Sequence, residues 1–264
     1  MGLAGISAES RTELARLTAG RRLVTVDDAS DLLRLPRPEA ARRLARFAEQ
    51  GWLRRVRRGL YIPVPIDAPN PESWSEDPLV LANAVWAPCY FTGWTAANHW
   101  ALTDQVFATT VVKTQGRVRH ATQHLGDDEF LLSHVDAESM DWGLATVWRN
   151  EVRLTFADAA RTVIDLLDEP RLGGGIRHVA EILDSYLVEH DAGRLVDYGD
   201  RLGNGTVFKR LGLLTQSLSP SNDELITACR DRVTKGVTSL DPDGPAGGTT
   251  DRSWGLRVNV GVTS

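Results

Sequence analysis

The stretch from Arg34 to Arg58 holds nine arginines against two acidic residues, Glu39 and Glu49, in a chain of 264 residues whose formal net charge is −5. This +7 segment leaves about −12 on the remaining residues, so basic charge is concentrated near one end. The asymmetry points to a nucleic-acid-binding head on an acidic body.

Spacing says more than charge. At about 100° per residue, a helix beginning near Pro38 places Arg42, Arg46, Gln50 and Arg43 within an arc of about 100°, with Leu44, Phe47, Ala40 and Ala48 opposite. Pro38 suits a first helical position and Gly51 a left-handed C-terminal stop. Upstream, Ser10 to Leu17 reads as a helix, and Thr25 with Asp28 forms a capping box opening a second helix through Leu33. Downstream, Trp52, Leu53 and Val56 lead into a turn at Arg57-Arg58-Gly59 and a β-prone Leu60-Tyr61-Ile62 stopped by Pro63.

That order of elements predicts a winged helix-turn-helix over residues 1–66. Arg42, Arg43 and Arg46 would be the recognition-helix contacts to double-stranded DNA, and Arg54, Arg55, Arg57 and Arg58 would serve the wing. The plainer reading is a solvated arginine face, since the chain prefers arginine to lysine throughout. The ordered set of short helices, amphipathic basic helix and arginine-tipped hairpin favours DNA binding.

The Pro- and acid-rich run from Asp67 to Pro78 marks a boundary, with a linker at 67–76 and a second domain at 77–264. The expected class is therefore α+β, a winged helix followed by a larger mixed α/β domain. In the second region, helices are expected at Asp77–Trp86, Thr95–Trp100, Ala157–Leu167, Ile176–Val188, Arg194–Leu202 and Thr206–Leu214. Strands are expected at Tyr90-Phe91, in ATTVVKT, VRHATQH and DEFLLSH, and from Val152; residues 240–264 read as an extended closing segment. The apolar run LVLANAVWAPCYF is too short to span a bilayer, and no secretory signal opens the chain. Cys89 and Cys229 cannot frame several disulfides, which suits a reducing cytoplasm. Trp86, Trp94 and Trp100 are expected in the core.

Catalytic signatures are thin. His120 and His124 read as strand, where their spacing puts them about 13 Å apart, and His134 joins them only under an assumed fold, so no metal site is expected. Asp158, Asp165, Asp168 and Glu169 supply carboxylates, but Asp158 and Asp165 fit the polar side of a helix whose core face holds Val163, Leu166 and Leu167. A nuclease centre needs carboxylates and a lysine converging on a metal, and Lys113, Lys209 and Lys235 are the available lysines. Gly173-Gly174-Gly175 lacks the phosphate-loop spacing and reads as a loop between helices; no GxSxG elbow is present. The expectation is a non-enzymatic protein without a cofactor.

The run LVTVDDASDLLRLPRPEAARRLARFAEQGWLRRVRRGLYIPVP resembles the N-terminal winged helix of AbiEi-type antitoxins from bacterial type IV toxin-antitoxin (abortive infection) systems. The resemblance continues in CYFTGWTAANHWALTDQ, FADAARTVIDLLDEPRLGGG, FKRLGLL, SLDPDGP and WGLRVNV, in family order from about residue 20 to residue 260. It implies an antitoxin and autorepressor whose winged helix binds operator DNA in its own promoter. It further implies that the larger domain counteracts a cognate nucleotidyltransferase-like toxin, without implying that the toxin is bound directly. The residues also leave open a ligand-responsive transcription regulator and a DNA-processing enzyme with a winged-helix targeting module. A toxin-type neighbouring gene would favour the first reading over the second, and metal-dependent cleavage of DNA would favour the third.

Overall fold

A computed structural model describes residues 7–68 and 74–262. The chain forms two compact units: residues 1–85 with 123–129, and residues 86–122 with 130–264. Of the expected linker, residues 69–73 lie outside the described residues.

The first unit runs α1 (Ala8–Thr18), β1 (Val24–Thr25), α2 (Val26–Leu33), α3 (Arg37–Glu49), β2 (Leu53–Arg57), β3 (Leu60–Pro63) and then α4 (Pro78–Trp86), which ends at its boundary. The capping box that opens α2 is formed. The Asp28 backbone N–H donates to Thr25 Oγ1 at 3.0 Å, and the Thr25 N–H donates to the Asp28 carboxylate at 2.8 Å. α3 starts one residue earlier than the proline suggests, so Pro38 sits at its second position, where a missing N–H is equally harmless. Its end is a left-handed stop at Gly51, φ 82. There Trp52 N–H reaches Phe47 O and Gly51 N–H reaches Ala48 O, both at 3.0 Å, the paired bonds of a Schellman end.

β3 pairs antiparallel with both β1 and β2, giving the order β1-β3-β2. Leu17, Val24, Ala29, Ala40, Leu44, Phe47, Leu53 and Tyr61 form the core between helices and sheet. Burial of a side chain such as Leu44 or Phe47 contributes roughly 1.5–3 kcal/mol. Pro63 is the last residue of β3 rather than the first beyond it, opposite Leu53.

The remaining elements are β4 (Cys89–Phe91), α5 (Gly93–His99), β5 (Thr110–Thr114), β6 (Thr122–Leu125), β7 (Asp128–His134), β8 (Leu144–Arg149), β9 (Val152–Ala157), α6 (Ala159–Asp168), α7 (Ile176–Glu189), α8 (Gly193–Leu202), α9 (Gly205–Leu218), α10 (Asp223–Arg230), β10 (Thr238–Ser239), β11 (Thr249–Asp251) and β12 (Leu256–Val258). A mixed sheet has the order β6-β7-β5-β4-β9-β8, and the closing segment adds a small sheet β10-β12-β11. The helices α6, α7, α8, α9 and α10 share an apolar core that includes Val163, Leu166, Leu183, Leu211, Leu225 and Trp254.

Several local expectations change. α5 begins at Gly93 after Thr92. Thr95, expected to cap it, instead accepts the Val111 N–H at 2.9 Å and ties the helix to β5. Gly93 is required there: its φ is 59, and a Cβ would lie 2.4 Å from Leu172 O. The strand expected from Val118 shrinks to β6, leaving His120 outside it. β8 and α10 were not anticipated. The closing segment is less extended than expected, because its strands are short and separated by turns.

Candidate nucleic-acid interface

α3 buries Ala40, Leu44 and Phe47, and the same periodicity turns Arg42 and Arg46 outward, one helical turn apart and both exposed. In the hairpin, Arg55, Arg57 and Arg58 are exposed around the turn at Gly59. The register of β2 shifts between Arg55, opposite Tyr61, and Arg57, opposite Leu60. Val56 is thus an extra residue, and a bulge of this kind increases twist and re-aims neighbouring side chains. None of these five arginines has a hydrogen-bond or ion-pair partner among the described residues.

The other two expected contacts are differently placed. Arg43 is half-buried and ion-paired with Glu13 of α1. Arg54 donates to Asp127 Oδ2 and to Trp74 O, each at 2.6 Å. Asp127 belongs to the tip that joins β6 to β7, which is part of the first unit and whose Gly126 N–H donates to Val56 O at 3.1 Å. Arg43 and Arg54 therefore brace α3 and the hairpin from within. Arg37 is also paired, with Asp27.

The exposed face of α3 is not uniformly basic. Glu39 and Glu49 are exposed as well, and at about 100° per residue both fall within roughly 60° of Arg42. Net positive potential is thus concentrated at mid-helix and on the hairpin, with a carboxylate near each end of α3.

Outside this surface, the sequence reading missed one group of residues. Asp165 is wholly buried beneath the sheet rather than on the polar side of α6. Its Oδ1 accepts from Lys113 Nζ at 3.3 Å and Arg161 Nε at 3.0 Å. Its Oδ2 accepts from Tyr90 Oη at 3.1 Å and Thr92 Oγ1 at 2.8 Å. Lys113 also meets Glu169 at 3.1 Å, and Ser133 Oγ donates to Glu169 at 2.8 Å. The Arg161 guanidinium carbon lies 3.4 Å from the centroid of the Trp142 ring, and its buried Nη1 has no hydrogen-bond partner among the described residues.

Burial alone would raise the Asp165 carboxyl, but Lys113, Arg161 and the hydrogen bonds outweigh it and hold the carboxyl below its ordinary value. Burial would lower Lys113, and the facing Asp165 drives it above the usual lysine range instead. Both Asp165 oxygens thus accept two donors each, from β4, β5, α6 and Thr92. The cluster is a structural tie between sheet and helix. Its traces in the sequence were the lone lysine in the apolar TVVKT and the four-residue spacing of Arg161 and Asp165.

The remaining candidates are scattered. Asp158 caps α6 by accepting the Arg161 N–H at 2.8 Å. Asp168 accepts from Asn204 at 2.6 Å, and Gly173 to Gly175 join a short 3-10 turn to α7. Lys209 is buried and donates to Gly236 O at 2.7 Å. His134 Nδ1 faces Gly116 O, and no group of three metal-ligating side chains occurs among the described residues. Burial pushes the Cys89 and Cys229 thiols up to about 12, so both are inert packing groups at neutral pH. Trp94 and Trp100 are half-buried, with indole N–H groups donating to Thr109 O and Ala157 O. No helix among the described residues is long and apolar enough to cross a membrane.

No protein-family model and no curated protein matches this chain. The fold is shared with a solved structure, that of the RV2827C protein from Mycobacterium tuberculosis, which aligns over 97% of this chain and 93% of its own length, with a TM-score of 0.63 at 16% identity.

Proposed function

We propose that the chain is a DNA-binding antitoxin and autorepressor, reading operator DNA with α3 and the β2–β3 hairpin and counteracting a nucleotidyltransferase-like toxin through its larger unit. The observation that carries the DNA-binding part is the set of five exposed arginines, without partners among the described residues, on two adjoining elements of one small unit. The order of α1, β1, α2, α3 and a β2–β3 hairpin, with β3 central, supports reading that unit as a winged helix-turn-helix. An α-helix fits the major groove, about 12 Å wide, while the hairpin arginines neutralise phosphates beside it. The antitoxin part is supported by the ordered sequence resemblance to AbiEi-type antitoxins. No catalysis is assigned, since both oxygens of the buried Asp165 already accept from Lys113, Arg161, Tyr90 and Thr92.

Two measurements test the two parts separately. Fluorescence anisotropy with a duplex from the chain's own promoter should show tighter binding than with a scrambled duplex, and equal affinity for both would end the operator reading. Co-expression with the product of the neighbouring gene should relieve growth arrest. Arrest that persists despite soluble expression of both proteins would end the antitoxin reading.

A further inference from the structure

At one end of the mixed sheet, β8 pairs with β9 on one side. The hairpin between them turns on Asn150 and Glu151, both left-handed at φ 47 and 63, with Arg149 opposite Val152. In a two-residue turn of this type the flanking pair is hydrogen-bonded, so Arg149, Val147 and Ala145 direct their backbone groups toward β9. Leu144, Thr146 and Trp148 direct theirs outward, and none makes another backbone hydrogen bond among the described residues. Edge strands are commonly blunted by brevity, proline, a bulge or a covering segment. β8 has six residues in unbroken register without proline, and it carries the indole of Trp148 at 69% exposure.

We propose that β8 is the contact strand of a symmetric dimer, pairing antiparallel with β8 of a second copy about a two-fold axis at Val147. The occupant follows from the strand's self-complementarity. A two-fold axis normal to the sheet keeps faces matched, so residues whose numbers are symmetric about 147 oppose one another. Val147 meets Val147, Ala145 meets Arg149, and Thr146 meets Trp148 of the second copy, so no like charges stand opposite. Thr146 and Trp148 carry the outward backbone groups, so these pairs supply the hydrogen bonds between copies. A β-branched side chain against an aromatic one is a favourable cross-strand pair. Arg153 Nη2, 3.3 Å from Thr146 Oγ1, holds its guanidinium over the row that the second copy's Trp148 would enter. This proposal does not rest on the DNA-binding reading.

Sedimentation velocity of the full chain over a concentration series should show a monomer–dimer equilibrium. Trp148→Lys and Thr146→Pro should shift it to monomer with unchanged far-UV circular dichroism, the proline acting at an outward-facing N–H that β9 does not use. Val147→Cys should form an intermolecular disulfide under mild oxidation, because opposed residues of a non-hydrogen-bonded pair lie about 4.5 Å apart at Cα, within disulfide reach. Arg149→Cys should not. The native thiols are both buried and add no background. A monomer at every concentration, or equal cross-linking at the two positions, would overturn the proposal. So would a Trp148→Lys protein with unchanged mass but altered DNA binding or toxin relief, which would assign the face to another macromolecule.

Discussion

Arg43 and Arg54 already face the acidic side chains Glu13 and Asp127, whereas Arg42, Arg46, Arg55, Arg57 and Arg58 meet no acidic partner among the described residues. The seven arginines should therefore separate into groups. Arg57→Ala/Arg58→Ala should lower the slope of log affinity against log salt by about 0.9 per lost phosphate contact, equally on operator and random duplex. Arg42→Ala/Arg46→Ala should cost roughly 1–3 kcal/mol per base-reading contact on the operator and much less on random sequence. Arg43→Ala should leave the salt slope near wild type and act through stability, by up to about 1 kcal/mol for a partly exposed pair. A slope change for Arg43→Ala matching that of the hairpin pair would return it to the contact surface. Glu49 gives a second residue-scale test. A carboxylate beside reading arginines repels phosphate yet accepts from a cytosine amino group, so Glu49→Gln should strengthen binding to random duplex and narrow the operator preference. Weaker binding to random duplex would refute that role.

At the scale of elements, the first unit depends on how its short helices begin and end. α2 has eight residues, too few for independent stability, so its capping box matters more than it would on a long helix. Thr25→Ala removes the acceptor for Asp28 N–H and should destabilise this unit by about 1 kcal/mol, read as a lowered denaturant midpoint with unchanged m-value. Thr25→Ser should restore most of the loss, and failure of Ser to do so would point to packing of the threonine methyl instead. Elements of this kind were legible before the structure was known, because capping, the apolar period of α3 and the stop at Gly51 are local. The start of α5 was not. Thr95 is a good local cap, but its hydroxyl serves β5, and the helix begins where Gly93 can pass against Leu172 O.

At the scale of the molecule, the first unit is discontinuous. The tip at 123–129 binds β2 through Gly126 and Asp127, so a fragment of residues 1–85 lacks part of the support of its hairpin. Such a fragment should unfold at lower denaturant than the same unit in the full chain, followed by hydrogen exchange of the β2–β3 amides. Equal protection in fragment and full chain would show that the tip contributes nothing.

The buried cluster sets the pH response of the second unit. Asp165 and Glu169 are held below their ordinary values despite burial, chiefly by Lys113. Their contribution is present above the unfolded pKa, about 4, and is lost as pH falls through the folded one. Asp168, raised by burial against the pull of Lys113 and its hydrogen bond from Asn204, works in the opposite sense. The Cys89 and Cys229 thiols, raised from 9.0 to about 12, contribute stability below 9 that is lost as pH rises toward 12. Melting temperature should be highest between about pH 7 and 9 and fall on either side, the acid decline beginning with His99, whose pKa is lowered by burial and Arg149, and steepening as the carboxylates protonate. Asp165→Asn should lower the plateau and flatten the acid limb. An unchanged acid limb would remove Asp165 from the linkage.

The sequence alone determined the charge asymmetry, the α2–α3–hairpin order and the positions of most helices, because these depend on composition, apolar period and capping within a few residues. It could not say which arginines are free, since the pairings with Glu13 and Asp127 span 30 and 73 residues. Nor could it place Asp165 inside. A carboxylate one turn from Arg161 on an amphipathic helix reads as solvated surface, and only β4 and β5, folded against α6, bring Tyr90, Thr92 and Lys113 close enough to offset the cost of burying its charge.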